Sequence, residues 1–439
     1  VWGDRENMFS YFGTDELNGA VKVIKNGSST SRYNTEGWFS RAMYNFDEKY
    51  FLSASYRRDA SSRFHPDHRW GNFYSVGGAW TINKENWFDV GWIDMLKLKA
   101  SWGQQGNDDI GDYRYTDTFS IDNVNGQIAL VQSGVGNPNI TWETNSNFNT
   151  GLEFEIFKSR LTGSVEYFHR KTTDMLCFVY VPMSGGYGGS YDNVGDMMNK
   201  GVELDLHFNV IRSKDFNWMI NLNATHFKNK VLMLQEDNKK NILDGHPGYV
   251  NGNYFYGEGL SIHTFRMKRF AGVSETGESL WYQFNESTGE TTTTTSNSDA
   301  TYYNCGNADP DLYGGFSTTL NFKGFDLSVN FNYSKGGKAI DNGYMSLMNN
   351  PSNGNTGFAF HKDLLNAWSE TNTDSSIPRF QYAVKSVDTS VSYLSDRFLT
   401  DASTLTLQTI NLGYTLPKNW VSKMGLSSLR IYVSGDNLY

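Results

Sequence analysis

Polar and apolar side chains alternate through residues 315–334. A period of two places successive side chains on opposite faces of a sheet, so this stretch predicts two strands with one aromatic and aliphatic face and one polar face. Each strand has about 9–11 residues, the length that a tilted strand needs to cross a bilayer. Lys323 and Gly324 separate the strands, and glycine suits so short a turn. A soluble β-sandwich also contains such hairpins, so the rest of the sequence is needed to distinguish a membrane protein from a soluble one.

The same alternation recurs along the chain and predicts about twelve strands. Besides the two above, strands are predicted at residues 36–46, 50–59, 72–82, 96–104, 141–157, 160–171, 202–208, 217–223, 404–416 and 429–439. In the strand at 404–416 the apolar parity slips between Leu407 and Ile410, which predicts a β-bulge near Gln408. A short helix is predicted at residues 362–368. The threonine tract Thr291–Thr295 is predicted to be a mobile loop tip.

Short and long connections alternate from the strand at 96–104 to the strand at 404–416. Outer-membrane barrels have short periplasmic turns and long extracellular loops, whereas a sandwich or a propeller has no reason to sort loops in this way. The pattern predicts an all-β fold, a transmembrane antiparallel up-and-down β-barrel at residues 36–439, with residues 1–35 as a weakly periodic lead-in. The turns at 158–159 and 323–324 are predicted to be periplasmic. The segments 172–200, 229–310 and 336–402 are predicted to be extracellular.

The composition agrees with a membrane barrel. Aromatic residues make up 15% of 439 residues, with 43 Gly and only 8 Pro, which suits many strands joined by turns. The sequence has no run of about 18 apolar residues, but barrels escape that test because only every second residue faces lipid. The net charge of −9, without a basic block, argues against a nucleic-acid partner. The chain begins at Val1 rather than Met and is therefore expected to be mature or partial.

Motifs for catalysis are absent from the sequence, which has no G-x-S-x-G, H-E-x-x-H, Walker loop or CxxC. We therefore expect no enzyme activity and no cofactor. Two clusters have donor atoms for a metal, but solvated loop polarity is the favoured interpretation of both, so no metal is expected. The clusters are His65, Asp67 and His68, and Asp108, Asp109 and Asp112. Cys177 and Cys305 are read as free thiols by default, and a bridge between their loops stays open.

Aromatic side chains in the predicted outer loops are candidates for stacking on sugar rings or packing on peptides. They are Tyr187, Tyr191, Tyr254, Tyr256, Trp281, Tyr302 and Tyr303. For each of them, packing within the loops is the favoured alternative. Polar positions of the strands are predicted to face a wet lumen, and the apolar positions between them to face outer-membrane lipid. The lumen set includes Arg57, Asp59, Asn330 and Asn332, and the lipid set includes Leu327, Val329 and Phe331.

Residues 50–71, YFLSASYRRDASSRFHPDHRWG, closely resemble SusC/RagA-type TonB-dependent outer-membrane transporters. Further stretches resemble that family and occur in its order, at residues 96–113, 137–154, 193–206, 309–331, 395–417 and 429–439. Ala60 departs from the pattern, which usually has Gly there. The family carries a signal sequence, a TonB box and a plug domain ahead of a barrel of about 22 strands. The resemblance therefore implies that this chain is an internal fragment of a longer protein.

The resemblance also implies a function. It implies active import of a bulky nutrient, a glycan or an oligopeptide, through the outer membrane of a Gram-negative bacterium. The implied partners are TonB, a SusD-like surface lipoprotein acting as a lid, and a dimer of such transporter–lipoprotein pairs. A passive porin or a surface adhesin is the alternative, which a plug and a TonB box would exclude. A third hypothesis, a soluble carbohydrate-active β protein, requires a pair of catalytic carboxylates and no lipid-facing belt.

Overall fold

A computed structural model gives the structure of residues 6–8, 20–22, 31–124, 127–180, 187–285, 287–348, 359–380 and 393–438. The chain divides into two compact units, each described by itself. The first unit comprises residues 1–91, 95–153 and 167–198, and the second comprises 92–94, 154–166 and 199–439. None of the helices in the described ranges has the length and apolarity to cross a membrane.

Twelve strands form one sheet in which each strand is hydrogen-bonded to its neighbours in the chain. In order they are β1 (Thr35–Phe46), β2 (Tyr50–Ser61), β3 (Trp70–Thr81), β4 (Ile93–Asn107), β5 (Glu143–Ile156), β6 (Leu161–Thr173), β7 (Gly195–Arg212), β8 (Phe216–Leu234), β9 (Leu312–Phe322), β10 (Phe325–Lys335), β11 (Thr404–Thr415) and β12 (Arg430–Asp436). The pairs within β1–β4 and within β8–β12 are antiparallel. Each of the predicted strands is present, so the prediction of about twelve strands is confirmed.

Tight turns of two to four residues join β1 to β2, β5 to β6, β7 to β8 and β9 to β10. Lys323 and Gly324 alone connect β9 to β10, with φ of 45° and 92°. Positive φ at both central residues gives a hairpin turn that matches the twist of its strands. Asp47 and Glu48, between β1 and β2, also have positive φ, 53° and 50°. There the Asn45 side chain accepts a hydrogen bond from the Glu48 backbone N–H at 3.0 Å, which fixes the turn locally.

Two of the long connections contain hairpins that the pattern does not predict. The connection between β4 and β5 contains strands Thr118–Val124 and Gln127–Gly134, which pair with each other. The connection between β6 and β7 contains the pair Leu176–Tyr180 and Gly189–Asn193. Strand β7 begins at Gly195, inside the segment 172–200 that the sequence predicts to be loop.

The connection between β8 and β9, residues 235–311, is a folded subdomain, and we call it the β8–β9 subdomain. Its five-stranded sheet comprises Asn241–Leu243, His246–Asn251, Tyr254–Gly257, Thr264–Lys268 and Tyr302–Asn307, and its three-stranded sheet comprises Phe270–Val273, Ser279–Asn285 and Glu290–Thr294. The prediction of a mobile tip at Thr291–Thr295 is wrong, because Thr291 to Thr294 pair with the strand Ser279–Asn285. β-Branched threonine suits a strand better than a loop.

The connection between β10 and β11 also folds locally. Strands Lys338–Ile340 and Leu399–Asp401 pair, and helix Asn342–Leu347 is capped by Asp341, whose side chain accepts from the Tyr344 N–H at 2.8 Å. The predicted short helix at 362–368 is confirmed as a 3-10 turn at Lys362–Asn366. The remaining elements are 3-10 turns Ile82–Lys84, Glu236–Asn238, Asp396–Phe398 and Ser422–Met424, helix Lys418–Val421, and the paired strands Glu6–Met8 and Ala20–Lys22.

Candidate functional site

Amide and hydroxyl side chains form one face of β8–β12, which we call the polar face. Asn221 Nδ2 donates to Ser317 Oγ at 3.0 Å, and Asn330 Nδ2 donates to Thr409 Oγ1 at 2.6 Å. These four residues are in register across β8, β9, β10 and β11, so they form one row on the same side of the sheet. Asn330 therefore lies among polar side chains, as predicted, and its exposure to a lumen stays a prediction.

A β-bulge interrupts the pairing of β10 with β11. The register shifts between Asn330 and Phe331 and skips Gln408, so the predicted bulge is confirmed. Gln408 Oε1 accepts from Asn332 Nδ2 at 3.1 Å, and Gln408 Nε2 donates to Asn437 Oδ1 at 3.0 Å. The extra residue in β11 returns the following apolar side chains to the apolar face, and the Gln408 side chain joins the polar side chains of Asn332 and Asn437.

An ion pair spans β11 near the short-turn end of the polar face. Arg430 Nε donates to Asp326 Oδ1 at 3.1 Å, and Arg430 Nη2 donates to Asp326 Oδ2 at 2.5 Å. Two parallel charge-assisted bonds make this a well-oriented pair. Gly413 lies between the partners, where a Cβ atom would be 2.6 Å from Asp326 Oδ1 and 2.5 Å from Arg430 Nη2. Glycine at this position is therefore what allows the two side chains to meet.

In the first unit, the polar positions of β2–β5 carry ion pairs. Arg57 Nε lies 2.5 Å from Asp59 Oδ2, and Lys99 Nζ lies 2.7 Å from Glu153 Oε1. Asp59 is in register with Gly37 of β1, which leaves room for its carboxylate because glycine has no Cβ. Two of the residues predicted to face the lumen, Arg57 and Asp59, thus neutralise each other.

The opposite face of β8–β12 is aliphatic and aromatic, and it is exposed. Leu412 is 52% exposed and Phe325 is 51% exposed. The rings of Phe316 and Phe331 stack at 4.6 Å, and those of Phe325 and Tyr414 lie 4.3 Å apart at the short-turn end. A soluble sheet would cover such a face, whereas a membrane barrel presents it to lipid with aromatic residues near the interfaces.

Two of the predicted loop aromatics lie in the first unit. Tyr187 is 36% exposed. Tyr191 is half-buried, with its ring edge-on to Phe178 at 5.3 Å and the Arg114 guanidinium carbon 4.8 Å from its centroid. Tyr191 therefore packs within its loops, as the alternative interpretation expects, and Tyr187 presents a freer ring.

Trp281 is a core residue of the β8–β9 subdomain. Its side chain is 1% exposed and makes T-shaped contacts with Phe270 at 5.7 Å and Tyr393 at 5.4 Å. A ring enclosed in this way offers no face to a ligand. The prediction that Trp281 binds substrate is therefore wrong, because its strand turns it into the interior of the subdomain.

The other predicted aromatics of this subdomain are more accessible. Tyr302 is 36% exposed, and the Arg266 guanidinium carbon lies 3.5 Å from its centroid. The remaining three, Tyr254, Tyr256 and Tyr303, are half-buried. Tyr254 stacks on Phe265 at 5.0 Å, so much of its ring serves the fold. Tyr302 keeps the largest free surface of this group.

An open cleft of about 560 Å³ lies on the polar face, at the long-connection end of β8–β11. Tyr313, Ser334 and Thr404 are in register across β9, β10 and β11 and contribute its floor. Phe227 lies edge-on to Tyr313, with ring centroids 6.0 Å apart, and the lining is completed by Pro310, Gly314, Asn332 and Tyr333. Phe227 and Tyr313 are not among the site residues predicted from the sequence. The sequence feature that marks both residues is an aromatic side chain at a strand position that belongs to the polar face.

The chain is similar to a known protein family and to proteins of known structure. The family model described as TonB dependent receptor-like, beta-barrel matches residues 2–332. The chain belongs to the TonB-dependent receptor-like β-barrel family. It is thus part of an outer-membrane protein whose strands form a transmembrane antiparallel β-barrel, and the predicted fold class, localisation and family resemblance are confirmed.

Relatives within this family are similar over nearly the whole chain. TonB-dependent receptor P3 of Formosa agariphila is 29% identical over 96% of this chain and 42% of the relative. TonB-dependent receptor SusC of Bacteroides thetaiotaomicron is 26% identical over 95% of this chain and 41% of the relative. A structure of the RagAB peptide transporter is 31% identical, with a TM-score of 0.81, over 94% of this chain and 46% of the transporter chain. The chain thus spans less than half the length of these receptors and transporters, none of which is named as an enzyme.

In this TonB-dependent receptor chain, Arg63 lies among Asp108, Asp109 and Asp112, the acidic cluster with donor atoms for a metal. Its Nη1 atom is 3.7 Å from Asp108 Oδ1 and 3.3 Å from Asp109 Oδ1, and its Nε atom is 3.4 Å from Asp112 Oδ1. The Tyr33 ring centroid lies 4.4 Å from the guanidinium carbon. The arginine therefore supplies the positive charge that a metal would bring, and the cluster ties two connections together.

The histidine cluster lies in the connection between β2 and β3. His65 Nδ1 is 3.4 Å from Asp67 Oδ2, and the rings of His65 and His68 are 6.4 Å apart. The Asp67 side chain is 79% exposed. These contacts fit the favoured interpretation of solvated loop polarity.

Both cysteines are free thiols, so the bridge that the sequence leaves open is not formed in this structure. Cys305 is buried in the β8–β9 subdomain, and burial raises its pKa to about 11. Burial also raises the pKa of the half-buried Cys177. Because the thiolate is the reactive form, both thiols are expected to be chemically inert near neutral pH.

Proposed function

We propose that the complete protein imports a bulky nutrient, an oligosaccharide or an oligopeptide, through the outer membrane by TonB-dependent transport. The observation that carries the proposal is the similarity to the RagAB peptide transporter structure, at a TM-score of 0.81 over 94% of this chain. The two-faced strands support it, because a polar face beside a lipid-facing one provides a wet path for a hydrophilic ligand. Asn330, Asn332, Arg57 and Asp59 are proposed to line that path.

A SusD-like surface lipoprotein is the proposed lid, seated on the long connections. The β8–β9 subdomain supports this part of the proposal, since it contains two sheets where a barrel needs only a short loop for closure. Long ordered connections are usually functional. Tyr187 and Tyr302, each 36% exposed, are the proposed aromatic contacts for the ligand or the lid.

The test is uptake of fluorescently labelled oligosaccharides and oligopeptides by cells that express the complete protein. Uptake is expected in cells with TonB and is expected to be lost when TonB is deleted. Uptake that continues without TonB would instead support a passive porin. Deletion of the neighbouring lipoprotein gene tests the lid separately, because undiminished uptake would remove the lid from the proposal and leave transport in place.

A further inference from the structure

We propose that the cleft lined by Phe227, Tyr313, Asn332, Ser334 and Thr404 is a binding subsite for one ring of a neutral oligosaccharide. The inference rests on the proposed import function, because it places the subsite on the polar face along which the imported ligand passes.

The aromatic side chains give the cleft a surface for stacking. Tyr313 is 41% exposed, so much of its ring is free to contact a ligand. Phe227 lies almost perpendicular to it, at an interplanar angle of 84°, so the two rings form a corner rather than a flat patch. The apolar C–H face of a sugar ring packs on one aromatic face while its edge meets the other.

The polar side chains around these rings suit sugar hydroxyls. Ser334 and Thr404 are in register with each other, so their hydroxyl groups lie side by side on β10 and β11. Asn332 Nδ2 is held by Gln408 Oε1, which leaves the Asn332 amide oxygen as an acceptor for a ligand hydroxyl. The β-bulge at Gln408 thereby orients one of the groups that line the subsite.

The charge of the lining favours a sugar over a peptide. Among the described residues that line the cleft, none carries a charged side chain. The Asp326–Arg430 ion pair lies at the other end of the same strands. Peptide termini and charged side chains would lose hydration in the cleft without gaining a counter-charge, whereas a neutral sugar exchanges hydrogen bonds evenly. The volume of about 560 Å³ lies within the range of small-ligand sites, about 300–1,000 Å³.

The experiment measures binding to the complete protein in detergent by isothermal titration calorimetry. The probes are maltohexaose, cellohexaose and an uncharged, capped hexapeptide. Tyr313→Ala and Phe227→Ala are each expected to raise the Kd of the better-bound glucan about tenfold, or 1.4 kcal/mol. Tyr313→Phe keeps the ring and is expected to change the Kd less than Tyr313→Ala. Tyr432→Ala is the matched control, because Tyr432 is also exposed, at 61%, and is in register with Gly413 near the short-turn end.

Two results would overturn the assignment. One is a Kd for both glucans that is unchanged in Tyr313→Ala and Phe227→Ala. The other is binding of the hexapeptide but of neither glucan, or binding of none of the probes, by the unmodified protein. Circular dichroism and heat-modified gel mobility confirm that each variant is folded before its Kd is compared. Loss of the TonB requirement in the uptake assay would refute the import proposal instead, whatever the calorimetry shows.

Discussion

Two neighbouring residues in the middle of β10 are expected to lose very different amounts of stability on replacement by lysine. Val329 lies on the apolar face, in register with Thr318 of β9 and Ile410 of β11. Asn330 lies on the polar face, where its Nδ2 atom donates to Thr409 Oγ1 at 2.6 Å. If the apolar face meets lipid, Val329→Lys places an ammonium group in the bilayer, whereas Asn330→Lys places it in water.

The size of the difference follows from the position of the two residues. β10 runs from Phe325 to Lys335, so Val329 is next to the central residue of the strand and close to the bilayer midplane. A lysine facing lipid at that depth costs about 2–4 kcal/mol. Asn330→Lys loses one hydrogen bond, worth about 0.5–1.5 kcal/mol. A difference of about 2 kcal/mol corresponds to roughly 30-fold in the ratio of folded to unfolded protein.

The assay is urea unfolding of the complete protein in lipid vesicles, with the folded fraction read from the gel mobility of unheated samples. Val329→Ala and Asn330→Ala are the controls, because they remove each side chain without adding a charge. Val329→Lys is expected to lose far more stability than Val329→Ala, and Asn330→Lys little more than Asn330→Ala. Equal losses from the two lysine variants would refute the assignment of the apolar face to lipid.

Three further predictions test other parts of the structure. Gly413→Val is expected to push the Asp326 and Arg430 side chains apart with little effect on the free energy of unfolding, because both are flexible and partly exposed; a large fall in the urea midpoint would contradict this. Cys305 is expected to react with iodoacetamide at pH 8 about 100-fold more slowly than a thiol of pKa 9.0, because its own pKa is about 11. Mass spectrometry measures the alkylation rate of Cys305 in the native and in the urea-unfolded protein. Equal rates in the two states would show that the native thiolate is accessible. On intact cells, Thr293→Cys is expected to react with a membrane-impermeant maleimide and Lys323→Cys is not, because the long connections are predicted to be extracellular and the short turns periplasmic. Labelling of Lys323→Cys but not of Thr293→Cys would show that the long connections are periplasmic.

The sheet is predictable from the sequence because apolar and polar side chains alternate with a period of two along its strands. Even the bulge at Gln408 is visible, as a shift in the order of apolar residues. The ends of the longest strands are not visible in this way. β7 starts at Gly195, seven residues before the first alternating residue, Val202, because backbone hydrogen bonds extend a strand without any pattern of side chains. β8 continues to Leu234 for the same reason.

The β8–β9 subdomain lies beyond what the pattern can show. Its strands have three to seven residues, too few periods to separate a strand from a loop. Its core depends on contacts between segments far apart in sequence, such as Phe270 and Tyr393 closing around Trp281. A tryptophan in a predicted outer loop therefore looks like a ligand contact from sequence alone, and only its exposure of 1%, on the paired strand Ser279–Asn285, shows that it faces inward.

The polar face changes character along its strands, and this bears on where a ligand can be held. Towards the short-turn end the polar groups are matched to one another, as Arg430 is to Asp326 and Asn330 is to Thr409. A ligand that displaced such partners would exchange one hydrogen bond for another and gain little. At the long-connection end the same face opens into the cleft at Tyr313, where ring surface is free to be covered. If the cleft is the proposed subsite, net binding free energy is expected to come mainly from covering the exposed ring of Tyr313 rather than from the matched polar groups nearer the short-turn end.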